Sequence, residues 1–197
     1  MNLRNNKVFI DASLFMGMHS ENETVRQRSV GFMASCFKDQ VFMNLEQVGL
    51  CDEHVWQYER QIQDAYYPFM DVLHSEMDVQ RVGYCEADIA RINEDDRFAS
   101  AHLSVQQKLL IAQVINQNGV LFTHDQALHA QNSFQEYLGQ FEEHLTPSIT
   151  ITKAEKIPTP EMPQEPVFST ILDALYETSK VLVVPFKSSA SGSEQYV

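Results

Sequence analysis

Three carboxylates stand at matching places in three separate apolar segments, and that repetition is the first chemical signal in the chain. Lys7-Val8-Phe9-Ile10 climbs to Asp11 and then enters a serine-containing turn, Ala12-Ser13-Leu14. Gly119-Val120-Leu121-Phe122 runs into Thr123-His124-Asp125, again an aspartate with a hydroxyl residue beside it. Between them Val41-Phe42-Met43-Asn44 is followed by Leu45 and Glu46, which puts a carboxylate in the first turn of the next helix. Short buried strands of a parallel sheet deliver the residues that follow them to one edge. Asp11, Glu46 and Asp125 are therefore the candidate catalytic and metal-binding residues, provided they meet around a shared pocket. Hard cations such as Mg²⁺ or Mn²⁺ take oxygen ligands and keep several waters, so such a set could hold one and activate water for hydrolysis. An aspartate after a strand also caps the following helix, a role Asp11 fits equally well when judged alone.

An aspartate after the first strand, a glutamate opening the helix after the second, and a late apolar strand running into Thr-x-Asp together resemble the PIN-domain family. That family comprises metal-dependent ribonucleases and includes many bacterial toxin nucleases. The resemblance covers about residues 7–152, and the order and spacing of the motifs carry most of its weight. The longer wording from Phe9 to Ser20, with Glu46-Gln47-Val48-Gly49 later, is similar to a branch of uncharacterised bacterial PIN-like proteins. The resemblance implies an α/β, three-layer PIN-like (Rossmann-like) fold with a central, mostly parallel sheet flanked by helices. It also implies an endoribonuclease that hydrolyses RNA phosphodiester bonds through Mg²⁺ or Mn²⁺ held by Asp11, Glu46 and Asp125.

One position departs from that pattern. The helix before the last motif strand usually opens with an aspartate, as in Asp-Ala-x-Ile-x-Ala, whereas the matching segment here reads Gln107-Lys108-Leu109-Leu110-Ile111-Ala112. A glutamine offers a carbonyl oxygen but no charge, so metal affinity should fall or one site of a two-metal pair should be lost. Asp95 or Asp96, in the loop Asn93–Arg97, could reach in as a substitute. Ser13, Gln107, Thr123 and Arg81 are the candidate substrate contacts, Arg81 being one of the few cations in the polar stretch from His74 to Asp88.

Charge argues for a second reading. The net charge is −13, with 14 basic residues against 27 acidic ones, whereas phosphodiester backbones favour surfaces rich in Lys and Arg. Tight nonspecific binding to nucleic acid is not expected, although a local basic patch could still serve a structured RNA. The balance suits equally a PIN-like module without catalysis that binds a protein as a subunit or regulator. A metal-dependent phosphatase on a related sheet ranks last, because Asp11 is followed by Ala12 and Ser13 rather than by a second aspartate two residues on.

The remaining elements must position these groups. At 197 residues and 44% hydrophobic composition the chain suits one domain plus an appendage. Ser20 or Asn22 caps a helix whose Val25, Phe32, Met33 and Cys36 face the sheet, and His19 reads as an exposed turn residue. The helix after Asn44 carries Leu45, Val48, Val55 and Trp56 as its apolar side. Tyr66, Phe69, Met70, Leu73 and Met77 form a helical stripe with Pro68 in its first turn. Ser104 caps a helix that runs to Asn118 and stops at Gly119. His124 is a polar loop residue or a general acid. Phe134, Tyr137, Leu138, Phe141 and Leu145 suggest a further helical stripe, and Ile149–Thr152 alternates like a closing edge strand.

These boundaries give a PIN-like domain over 1–152, a Pro-rich linker over 153–166, a helix-strand appendage over 167–187 and a disordered tail over 188–197. In the appendage, Phe168, Ile171, Leu172, Leu175 and Tyr176 recur at helical spacing, and Val181–Phe186 is apolar. One helix and one strand cannot bury both faces alone, so the appendage docks back, pairs with a second copy as a homo-oligomer, or binds a protein partner. Cys36, Cys51 and Cys85 are odd in number and far apart, so neither a disulfide framework nor a zinc site is indicated, and mostly buried thiols are expected. Too few apolar residues follow Lys7 for a signal-peptide core, which leads to the expectation of a cytoplasmic protein without membrane contact.

Overall fold

The computed structural model describes residues 6–141. Within them β1 (Lys7–Ile10), β2 (Val41–Asn44), β3 (Val79–Val82) and β4 (Gly119–Phe122) form one all-parallel sheet in the order β3-β2-β1-β4. The helices are α1 (Ala12–Gly17), α2 (Glu23–Ser35), α3 (Leu45–Trp56), α4 (Arg60–Glu76), α5 (Glu86–Glu94), α6 (Asp96–Ser100), α7 (Val105–Asn116) and α8 (Gln126–His129), followed by a 3-10 helix at Asn132–Tyr137.

β1, β2 and β4 read as continuous apolar runs because both faces of the sheet are covered. Phe9, Phe42 and Leu121 share one face and pack with Phe98, Leu110, Ile111, Val114 and Phe134. Ile10, Met43 and Phe122 share the other, with Leu14, Phe15, Phe32, Met33, Cys51, Tyr66 and Leu73. The register agrees, since Phe9 stands opposite Phe42 and Leu121, and Ile10 opposite Met43 and Phe122. The first of these layers comes from segments after β3 and the second mainly from α1 to α4. The chain thus progresses outward from β1 through β2 to β3, then returns to lay β4 on the opposite side of β1. At such a reversal the connections leave the sheet in opposite directions and open a crevice outside the carboxyl ends of the strands.

Several expectations need correction. β3 lies inside the stretch read as merely polar: Gln80 and Arg81 are exposed at the sheet edge, and this polarity, which discourages further strand pairing, hid the element. α4 begins at Arg60, so Pro68 is inside the helix and not in its first turn. Proline has no N–H for the carbonyl four residues earlier, and the burial of Tyr66, Phe69 and Leu73 offsets that loss. Leu45 and Trp56 lie outside the core at 54% and 65% exposure, whereas Gln47, Cys51 and Val55 face inward. α7 stops at Asn116 rather than Asn118, and Asn118 takes the left-handed conformation (φ 51°) after it. Gly119 instead opens β4, where a Cβ would lie 2.6 Å from the Phe9 ring.

His19 is buried at 1% exposure, because α4 covers the turn and packs Tyr66 and Phe69 edge-on against the imidazole, at 5.6 and 5.0 Å between centroids. The stripe from Phe134 is a short 3-10 turn, after which Leu138 bridges in parallel to Leu121. Cys51 is buried but Cys85 is exposed. Among the described residues, no helix is long and apolar enough to cross a membrane. Leu145, the strand at Ile149–Thr152, the linker, the appendage and the tail lie outside the described residues.

Candidate functional site at the carboxyl edge of the sheet

Asp11 leaves β1 in extended conformation (φ −119°, ψ 178°) and caps α1, its Oδ1 accepting from the Leu14 N–H at 2.9 Å. The same oxygen accepts from Ser13 Oγ at 2.7 Å, while Oδ2 accepts from the Thr123 hydroxyl. The two hydroxyls tie β1 to β4: Ser13 Oγ accepts the His124 N–H at 2.8 Å, and Thr123 Oγ1 accepts the Asp125 N–H at 2.9 Å. Burial raises the Asp11 pKa above its ordinary value. The donors from Thr123, Leu14 and Ser13 oppose that rise, and the nearby charge of Asp125 adds to it.

Asp125 caps α8 in the same manner, with Oδ1 accepting from the Ala127 and Leu128 N–H groups at 2.8 and 3.4 Å. Its Oδ2 accepts from Gln107 Nε2 at 2.6 Å. Gln107 is oriented by the capping box that starts α7, where its Oε1 accepts the Ser104 backbone N–H at 2.9 Å. A backbone N–H can only donate, so the glutamine carbonyl faces Ser104 and the amide N–H faces Asp125.

Glu46 starts α3 next to Asn44, whose side chain accepts the Glu46 N–H at 2.7 Å. Its Oε2 accepts from the Tyr84 hydroxyl at 2.8 Å, and burial together with that bond pushes the Tyr84 phenol up. Asp11, Ser13, Thr123, Asp125 and Gln107 thus form one hydrogen-bonded cluster at the switch point between β1 and β4. Glu46 is engaged separately. Arg81 lies exposed on β3, two strands from β1.

The suggested substitution by Asp95 fails. Arg97 grips that carboxylate in a fork, Nε to Oδ1 at 3.0 Å and Nη2 to Oδ2 at 2.8 Å, while Asp96 is an exposed residue in the first turn of α6. His124 stacks on Phe141 with centroids 4.8 Å apart, and its Nε2 lies 2.8 Å from Ser29 Oγ. Burial, followed by repulsion from Arg28 and His129, lowers its pKa to about 4. The shift favours the neutral imidazole at pH 7, which keeps one ring N–H but is a far weaker acid than the imidazolium.

The donor set can be tested against a divalent cation. Each carboxylate oxygen has two lone pairs. Oδ1 of Asp11 and Oδ1 of Asp125 each accept two hydrogen bonds, and each Oδ2 already accepts one. Gln107 presents N–H where an oxygen ligand would be required. Among the described residues no group of three His, Cys, Asp or Glu side chains is placed to hold a metal ion. These residues do not fit a preformed three-carboxylate centre.

Neutral amides brace the edge in ways the sequence reading missed. Gln47 Oε1 accepts the Ala12 N–H at 3.1 Å, pinning α3 to the turn after β1. Asn44 Nδ2 donates to Gln113 Oε1 at 2.9 Å, and Gln113 Nε2 donates to the Gly83 carbonyl at 2.7 Å, joining β2, α7 and the segment after β3. The available signal was Gln113 itself, a lone amide inside the apolar run Leu109–Ile115.

No curated protein and no solved structure matches the chain. A family model does match, over residues 1–189, and the chain accordingly belongs to the family described as "Family of unknown function (DUF6190)".

Proposed function

We propose that this protein is a PIN-like module that works by binding, as a regulatory or partner-recognition subunit, with a hydrogen-bonded polar edge in place of a hydrolytic centre. The observation that carries the reading is the Gln107 amide on Asp125, a neutral donor where a cation would otherwise offset the carboxylate. The Tyr84 hydroxyl on Glu46 and the two hydroxyls on Asp11 support it. The net charge of −13 favours a protein partner over RNA. Exposed Val105, at the start of α7 beside Gln107, offers apolar contact on the same edge.

Calorimetric titration of the full chain with Mn²⁺, alongside incubation with single-stranded and structured RNA, tests this. No saturable heat and no cleavage are expected, together with a co-purifying protein that Asp11→Asn retains. Stoichiometric Mn²⁺ binding and RNA cleavage, both lost in Asp11→Asn, would overturn it.

A second reading, the metal-dependent endoribonuclease, is favoured by one observation: Asp11 and Asp125 follow neighbouring strands at the switch point. In that reading Asp11, Asp125 and a Glu46 released from Tyr84 would hold Mg²⁺ or Mn²⁺, which supplies Lewis acidity and an activated water when bound. Ser13 and Thr123 would fix the Asp11 carboxylate. The titration above separates the two readings.

A further inference from the structure

We infer that the outward face of α3 is the docking surface for this chain's own segment Phe168–Tyr176. α3 has two unlike sides. Gln47, Cys51 and Val55 are buried, while Leu45, Gly49 and Trp56 are exposed. Leu45, Gly49 and Trp56 are spaced by four and seven residues, so they fall on one line along the helix. A Cβ built on Gly49 would meet nothing within 4 Å, so no contact inside the described residues calls for a glycine there. Glycine is unfavourable in a helix interior. Between Leu45 on one side and Asp52, Glu53 and then Trp56 on the other, it leaves a notch flanked by carboxylates in which a second helix can approach closely.

The chain contains a segment of matching character. Phe168, Ile171, Leu172, Leu175 and Tyr176 make a single apolar stripe at helical spacing. As a helix it would be about 12 Å long, against about 16 Å from Leu45 to Trp56. The described residues end at Phe141, and the roughly 26 residues between it and Phe168 reach up to about 85 Å when extended, so the tether imposes no obstacle. The family match runs to residue 189 and so includes the segment with the domain as one unit. A tethered helix competes at an effective concentration of the order of mM, which a second copy in dilute solution does not reach. This inference stands apart from the proposed function and does not depend on it.

Trp56 is the single tryptophan of the chain, so its fluorescence reports this face directly. In the full chain its emission should be blue-shifted and poorly quenched by acrylamide, and both properties should persist on dilution. Ile171→Asp with Leu175→Asp, remote from α3 in sequence, should red-shift the emission and raise quenching several-fold while the far-ultraviolet dichroism of the domain is kept. Gly49→Leu, which fills the notch, should do the same with the segment intact. A solvent-like Trp56 in the unmodified chain would overturn the inference. Shielding lost on dilution would overturn it in favour of a second copy, and shielding indifferent to the segment's substitutions in favour of another occupant.

Discussion

Gln107 carries more of the functional argument than any other residue, and its effect is electrostatic. With the native amide, Asp125 receives a charge-assisted hydrogen bond of the kind worth about 1.5–3 kcal/mol. Gln107→Asp would replace that donor with a third carboxylate near Asp11 and Asp125. In chelator the variant should melt several degrees below the native protein, and millimolar Mn²⁺ should restore the loss by binding only the folded state. The native protein should show no such Mn²⁺ response, and differential scanning fluorimetry reads both.

Histidine chemistry gives a second prediction at this scale. His19 is buried and neither ring nitrogen has a hydrogen-bond partner among the described residues; burial lowers its pKa to about 4. The folded value lies below the unfolded one near 6.5, so the neutral ring's contribution is present above about pH 6.5 and is lost as pH falls toward 4. His124, lowered to about 4 as well, acts in the same direction. Asp11 acts oppositely: its raised pKa means that its ionisation costs stability as pH rises past the unfolded value. His19→Leu should therefore flatten the acid limb of the stability profile by at most roughly 3 kcal/mol between pH 7 and pH 4. Urea midpoints at several pH values would measure it, and an unchanged acid limb would exclude His19 as a source of acid sensitivity.

Among the elements, the strands show how close backbone approach substitutes for side-chain packing. Gly119 lies opposite Lys7 at the start of β4, and the Phe9 ring occupies the space a Cβ would need. Gly119→Ala must displace a fully buried aromatic from between two strands, at a cost of about 1–3 kcal/mol. The effect should appear in the denaturant midpoint with the slope unchanged. Gly49→Ala meets no atom of the described residues, and in an uncovered helix it would stabilise by about 0.5–1 kcal/mol. With Phe168–Tyr176 seated against Gly49 that gain should be absent or reversed, and a full gain in the denaturant midpoint would mean that this face is open.

For the molecule as a whole, charge governs the response to salt. A chain of net charge −13 repels itself when compact, and added salt screens that repulsion. Melting temperature should rise with NaCl between low and physiological ionic strength, and fluorescence anisotropy should detect little binding of labelled RNA even at low salt. Tight RNA binding that weakens steeply with salt would instead reveal a basic surface formed despite the net charge.

The order of apolar runs was enough to place β1, β2 and β4 with their following carboxylates, because strands buried on both faces must be apolar throughout. Capping chemistry likewise fixed Ser104 and narrowed the other cap to Ser20 or Asn22, of which the structure takes Asn22, since each cap is a local bond between a side chain and the first turn of its own helix. Polar β3 and buried His19 escaped the sequence because their state depends on what packs over them: β2 on one side of an edge strand, α4 over a turn. The same distinction holds at the site. That Asp11 and Asp125 follow strands is a local property, and sequence sufficed. Gln107's capping bond to Ser104 sets which of its amide atoms is left to face outward, but that this N–H meets Asp125, and that Tyr84 engages Glu46, are contacts between segments 18 and 38 residues apart, which only the folded chain brings within reach.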